Sequence, residues 1–388
     1  MVDKEGNSVD AVRKKIEEGL GWLRSGFTVI VGCDYGISRS NAIAAGLLSA
    51  YRDVPFDDAV RQVVRATGEQ EIKLAPLDTV RRALGEGGKR DAACSEPRIL
   101  LTGGSGFIGT VLRPMLAECW PVFAPSRQEM DLALGNAELD LQIRELRITH
   151  LVHLANPRVY TSNRAVGETL VMLRNVLEVC SDHNLHLIYP SGGEIYSGYR
   201  GKEIAADEKL PPNPLGVKAE TQWLCELLIG HHRLKYGLRC GLLRSPVLYG
   251  AADRPKFLWT FIAHARAGEP IYTHEYRNGI PGLDLLHVND FCKAVSSSIR
   301  SGFEGDANLG AGRLIPTRQM AILIRDLLGS PSEILTRFID GEAPYIAMKS
   351  DTASERLSWK PSVIFEEGLK EMLSNSQTSS HSLTGENP

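Results

Sequence analysis

The chain has 388 residues, 43% hydrophobic and 23% charged, a globular composition long enough for two or three cores. A formal net charge of -3 provides no basic field for nucleic acid or an anionic membrane, so any phosphate recognition has to be local. Seven scattered cysteines without CxxC or Cys/His spacing indicate neither a disulfide framework nor a structural metal, and no apolar run is long enough to cross a bilayer.

The first residues, MVDKEGNSVD, lack the basic-then-apolar order of a signal peptide, so the expectation is a cytoplasmic protein with a small-molecule substrate. DAVRKKIEEGLGWLRSG carries apolar residues at helical intervals, FTVIVG predicts a short buried strand, and NAIAAGLLSAYR and FDDAVRQVVRAT predict helices. These form a segment over residues 1–85. GEGGKRDAACSEP, over 86–97, has the glycine, charge and proline content of a linker.

From Arg98 strands alternate with helices: RILLTGG, VLRPMLAECW, PVFAPSR, LDLQIRELR, HLVHLAN, ETLVMLRNVLEVC and LHLIYPSGG. This order predicts an α/β fold with a doubly wound parallel (Rossmann) sheet and right-handed crossovers. After Pro246 the pattern is less regular, with FLWTFIAHARAG, YRNGIPGLD and RQMAILIRDLLG, and predicts a smaller α/β cap closing over the strand ends. The domain spans 98–373, and the polar tail 374–388 is expected to be disordered.

Gly103, Gly106 and Gly109 follow the strand RILLT and open an amphipathic helix, the context in which a GxGxxG pattern marks a dinucleotide site. The first glycine permits the tight turn, the second lets backbone approach a pyrophosphate, and the third lets the helix pack closely with its amino terminus toward the phosphates. Ser105, Phe107 and Ile108 of the same turn, and Ala155 in HLVHLAN, are further candidate cofactor contacts. PVFAPSR ends in Ser126 and Arg127 where an acid would mark NAD; a cation there suits a 2′-phosphate and favours NADP, unless Arg127 is a solvated surface residue. Asp131 either reaches the adenine amino group or caps a turn.

TGGSGFIG, HLVHLAN, LLRSPVLYG, DLLHVND, NLGAG and ERLSWKP occur in this order. Over 98–373 the chain resembles the extended short-chain dehydrogenase/reductase (NAD-dependent epimerase/dehydratase) family, whose members epimerise, dehydrate or reduce nucleotide sugars. The resemblance implies NAD or NADP, a nucleotide-sugar substrate and a homodimer through two long helices. It also implies a proton-handling tyrosine one helical turn before a lysine, with a serine or threonine nearby; the ammonium and the nicotinamide lower the phenol's pKa so that it can take a sugar hydroxyl's proton.

The segment NPLGVKAETQW retains Lys218, expected to fix the nicotinamide ribose, but Pro214 stands in the tyrosine's place, or Leu215 if a single deletion is allowed. Neither moves a proton. In PSGGEIYSG the hydroxyl position is Gly192, with Ser191 beside it, and Glu194 matches the glutamate base of the family's dehydratases, a loop-capping carboxylate being the alternative. The candidate catalytic residues are Lys218, Ser191 and Glu194. Three explanations stay open: a phenol from Tyr160, Tyr196 or Tyr199; chemistry without a phenol; or a non-catalytic NAD(P)-binding protein. Arg244, Asp284, His287, Asp290 and Asn308 correspond by resemblance to cofactor- or substrate-positioning residues, fold maintenance being their other reading.

VIVGCDYGISRSNAIAAGLL places Cys33, Gly36, Ser38, Arg39 and Ser40 between an expected strand and a helix. Residues 1–85 thereby resemble a truncated dual-specificity phosphatase. Loop N–H groups and the helix amino terminus would lower the Cys33 thiol pKa and hold phosphate oxygens, Arg39 would grip the phosphoryl group bidentately, and Ser40 would donate to the thiolate. Asp3 falls at the distance of the family's general acid, with Asp10 the weaker candidate. Departures are Gly32 in place of the family's histidine, Asp34 beside an anion loop, and the lack of the family's first strands. A half-domain of this size is expected to pack on the larger domain or on a second chain. The alternative function is therefore a phosphatase fused to a nucleotide-binding domain.

Overall fold

The computed structural model describes residues 7–34, 38–68, 72–85, 96–157, 162–252 and 257–375. The first segment contains helices α1 (Val9–Arg24), α2 (Arg39–Arg52), α3 (Phe56–Thr67) and α4 (Leu74–Ala83). α1 starts at Ser8, whose Oγ accepts the Ala11 N–H at 3.2 Å and so satisfies a first-turn donor. FTVIVG does not form the expected buried strand. Phe27 is 66% and Ile30 91% exposed, and no described strand runs beside them. A β-prone run becomes a strand only when a neighbour takes up its N–H and C=O groups and covers its apolar face. The helices do find cover: Phe56, Ile72, Leu77 and Val80 join one continuous apolar cluster with Leu139, Ile143, Leu173 and Val176 of the larger domain. Arg61 is ion-paired with Glu145 across the same junction.

The larger domain opens with β1 (Ile99–Thr102), α5 (Phe107–Ala117), β2 (Val122–Phe123), α6 (Ala137–Glu145), β3 (His150–His153), α7 (Asn163–Asp182) and β4 (His186–Gly192). A 3-10 turn over Gly193–Tyr196 leads to β5 (Ile204–Ala206), α8 (Val217–Tyr236), β6 (Arg239–Ser245) and β7 (Val247–Tyr249). There follow α9 (Phe257–Ala267), β8 (Ile271–Tyr276), β9 (Gly282–Leu283), β10 (Leu285–His287), α10 (Val288–Ser301) and β11 (Gly305–Asn308). The described residues end with β12 (Ile315–Pro316), α11 (Thr317–Leu328), β13 (Ile334–Ile339), β14 (Ile346–Met348), α12 (Asp351–Leu357) and α13 (Phe365–Asn375).

Six parallel strands form one sheet in the order β11-β6-β4-β3-β1-β2. This is the Rossmann-like arrangement that the alternating pattern predicts. Every residue of β1, ILLT, is buried because helices cover both faces of the sheet. The order reverses at β1, which opens a crevice at the carboxyl ends of β1 and β3. Although β11 and α10 follow Pro246, they return to this domain: β11 extends the sheet beside β6, and Phe291 and Val295 pack with Leu112 of α5. The cap has its own core, formed by Leu258, Phe261 and Ile262 of α9, Met320 and Ile324 of α11, and Leu369 of α13.

Candidate functional site

The turn after β1 is built around missing side chains. Gly103 has φ of +69°, and a Cβ there would lie 2.7 Å from the Leu154 carbonyl carbon and the Ala155 nitrogen. A Cβ on Gly109 would meet the Gly104 Cα at 2.6 Å, so only glycine lets α5 pack this closely on the turn. Gly106 begins α5 with no side-chain cap and no acid in the first turn, which leaves the helix N–H groups for an anion. Ser105 is exposed on the turn, while Phe107 and Ile108 anchor it to the sheet core. These residues fit the pyrophosphate of a dinucleotide.

Thr102 ties β1 to β3 behind that turn: its Oγ1 accepts the Ala155 N–H at 3.2 Å and bonds His153 Nδ1 at 2.9 Å. Burial lowers the His153 imidazole to about 4 and that of His150 to about 3, so both rings are neutral in the fold. An unfolded chain protonates them below about 6.5, so the stability they contribute is whole above that pH and is lost as the pH falls toward 4. For His153 the loss between pH 7.5 and 5 is about 2 kcal/mol. Urea unfolding of wild type and His153→Gln at the two pH values checks this: the variant's stability should fall less, and equal slopes would refute it.

In the loop beyond β2, Arg127 pairs with Asp131 at 3.0 Å and with Glu168 at 2.8 Å. The cation expected for a 2′-phosphate is thus already engaged by two carboxylates. The second oxygen of Asp131 accepts the Ala133 N–H at 3.0 Å, the geometry of a turn cap.

Lys218, in the first turn of α8, forms an ion pair with Glu194 from the 3-10 turn beyond β4. Gln222, one turn further along α8, places its amide between the Glu194 carboxylate and the Gly192 N–H, each at 3.3 Å in the orientation that satisfies both. Ser191 does not join them. It is buried, and its Oγ donates to Glu226 at 2.6 Å. Glu226 in turn grips Arg244 through contacts of 2.7 to 3.2 Å, and Arg244 also reaches Asp306 at 3.1 Å and the Tyr196 hydroxyl at 3.3 Å.

The tyrosines proposed to replace the missing phenol have partners elsewhere. The Tyr196 hydroxyl donates to the Asp207 carbonyl at 3.3 Å, and burial pushes its pKa up despite Arg244; the Tyr199 hydroxyl donates to the Pro211 carbonyl at 2.9 Å. Tyr160 lies outside the described residues. Gln222 and Glu226 escaped the sequence reading, although their spacing from Lys218 is the signal: residues four apart share one helix face.

Several residues matched by resemblance to substrate-domain positions hold backbone segments of the fold in place. Asp284 accepts the backbone N–H groups of Met348, Ala311 and Gly312 at 2.9, 3.0 and 3.3 Å, and burial raises its pKa to about 6. Asp290 accepts from the Ser362 and Val363 N–H groups and from Lys293, His287 caps α10, and Asn308 donates to the Ala206 carbonyl at 3.2 Å.

In the first segment a cavity of 270 Å³ is lined by Val31, Cys33, Asp34, Arg39 and Ser40. Cys33 Sγ lies 3.4 Å from Ser40 Oγ, and Arg39 contacts Asp34 at 3.0 Å. Ser38 Oγ accepts the Lys73 N–H at 3.0 Å, fixing the start of α2. Asp10 pairs with Arg13 on an exposed face of α1; Asp3 and Gly36 lie outside the described residues.

Comparison with known proteins agrees with the larger domain. The profile of the NAD dependent epimerase/dehydratase family matches residues 99–310. UDP-glucuronate 4-epimerase of Thermodesulfobacterium geofontis is 28% identical over 222 residues, 56% of this chain and 66% of that protein. Among solved structures, UDP-glucose 4-epimerase of Thermus thermophilus in complex with NAD superposes with a TM-score of 0.64 at 23% identity, over 73% of this chain and 99% of its own. RMD from Pseudomonas aeruginosa, complexed with NADPH, gives 0.65 at 20% identity over 73% and 99%. The glycine cradle beside β3, the parallel sheet around it and the match over more than half the chain place this protein in the NAD dependent epimerase/dehydratase family.

Proposed function

We propose that this chain is an NAD(P)-dependent enzyme acting on a nucleotide-activated sugar, by epimerisation, dehydration or reduction. The observation that carries the reading is the pairing of Lys218 with Glu194 at the carboxyl end of the sheet that also holds the glycine cradle. When bound, the nicotinamide supplies hydride exchange. The turn at Gly103, Gly106 and Gly109 binds the pyrophosphate through backbone N–H groups and the α5 terminus. Lys218 holds the nicotinamide ribose, and Glu194 accepts or returns the proton of the sugar hydroxyl, the work for which neither Pro214 nor Leu215 has a suitable group. Relatives described as epimerases of UDP-glucuronate and UDP-glucose support this substrate class. A homodimer belongs to the same reading, through the exposed Leu224, Leu227 and Leu234 of α8.

The test is a panel of UDP-glucose, UDP-glucuronate and dTDP-glucose with NAD or NADP, followed by NMR of the products. Conversion of at least one sugar, lost in Glu194→Gln, is expected. No conversion and no thermal shift with any member would overturn the reading.

The cavity at Cys33, Arg39 and Ser40 favours a second reading, a phosphate pocket with thiol-dependent phosphatase activity. Phosphate release from p-nitrophenyl phosphate should then fall to background in Cys33→Ser. Equal rates in wild type and variant would end it.

A further inference from the structure

Gly192 stands where the family places a hydroxyl residue, and the space left by its side chain is filled. A Cβ built on Gly192 would overlap the Glu194 carboxylate and lie 2.8 and 3.0 Å from the two polar atoms of the Gln222 amide. The same amide spans from the Gly192 N–H to the Glu194 carboxylate, and the other oxygen of that carboxylate meets Lys218. Gly192, Glu194, Gln222 and Lys218 are thus one arrangement. A side chain at 192 would therefore displace the ends of the Glu194 and Gln222 side chains.

We propose that Gln222 is a positioning residue for Glu194. The proposal rests on the nucleotide-sugar reading for its role in the reaction, but the positioning itself is a property of the chain. Helix α8 presents Lys218 and Gln222 on adjacent turns, so its first two turns hold the carboxylate from two sides: an ammonium on one oxygen, an amide on the other. The Gly192 N–H at the end of β4 fixes the amide in turn. A carboxylate held this way has one rotamer to present to a substrate hydroxyl.

The test uses the full chain labelled with 13C at the glutamate side-chain carboxyl, with Glu194 assigned by its disappearance in Glu194→Gln. The Glu194 resonance should move in Gln222→Ala and in Gly192→Ser, and stay in place in Thr221→Ala, which alters the neighbouring residue on α8. Melting temperature of each variant separates this from unfolding. An unmoved resonance in both folded variants would overturn the positioning. A resonance that moves in the variants, in a protein whose wild type fails to bind NAD+ by calorimetry, would instead refute the functional reading and leave the positioning standing.

Discussion

Gly109→Val is expected to reduce affinity for NAD+ and NADP+ at least 100-fold, about 2.7 kcal/mol, as read by titration calorimetry. The cause is steric and local. The first carbon of any side chain at 109 meets the Gly104 Cα at 2.6 Å, and valine adds two methyl groups behind it. α5 must then tilt away from the turn, taking with it the N–H groups beginning at Gly106 that face the phosphates. Overpacking of this kind also costs about 1 to 3 kcal/mol of stability, so the variant is compared at a temperature where circular dichroism shows it folded. Wild-type affinity in the folded variant would show that the cofactor does not depend on this close approach.

Glu226→Ala is expected to destabilise the protein by about 3 to 5 kcal/mol in urea unfolding, the cost of leaving one member of a buried ion pair without its partner. Arg244 and Glu226 side chains are 6% and 3% exposed, and the carboxylate holds both the guanidinium and the Ser191 hydroxyl. Burial opposes the charge on Arg244, but the bonds and the field of Glu226 outweigh it and raise its pKa. Asp306, 32% exposed, remains 3.1 Å from the guanidinium and sets the lower end of the range. Joint replacement, Glu226→Leu with Arg244→Met, should recover most of the loss, because removing both charges removes the uncompensated one. A single-variant cost under about 1 kcal/mol would mean that solvent reaches the pair.

The sequence discloses what depends on period and on glycine. Strands such as ILLT, buried on both faces, alternate with amphipathic helices, and a turn that needs φ above zero at Gly103 admits few residues, so sheet and cradle are legible. What depends on a distant neighbour is not. FTVIVG has the composition of a strand but finds no partner strand among the described residues. Ser191 and Gly192 are adjacent, yet strand alternation sends Ser191 to Glu226 while Gly192 faces Glu194. Arg127 carries the charge that a 2′-phosphate wants, but Glu168, far along the chain, pairs with it. β11 and α10 follow an irregular stretch and still complete the main sheet domain, because β6 leaves an edge to be covered.

The most direct measurement is absorbance at 340 nm of the purified protein, loaded with NAD+ or NADP+, after addition of each nucleotide sugar. For epimerisation or dehydration a transient rise is expected while the nicotinamide holds the hydride, and for reduction a fall when the protein is loaded with NADH or NADPH instead; both are absent in Glu194→Gln and in Lys218→Met. Tight dinucleotide binding with no change at 340 nm and no product from any sugar would contradict it, and would make the chain a binding protein built on an enzyme's fold.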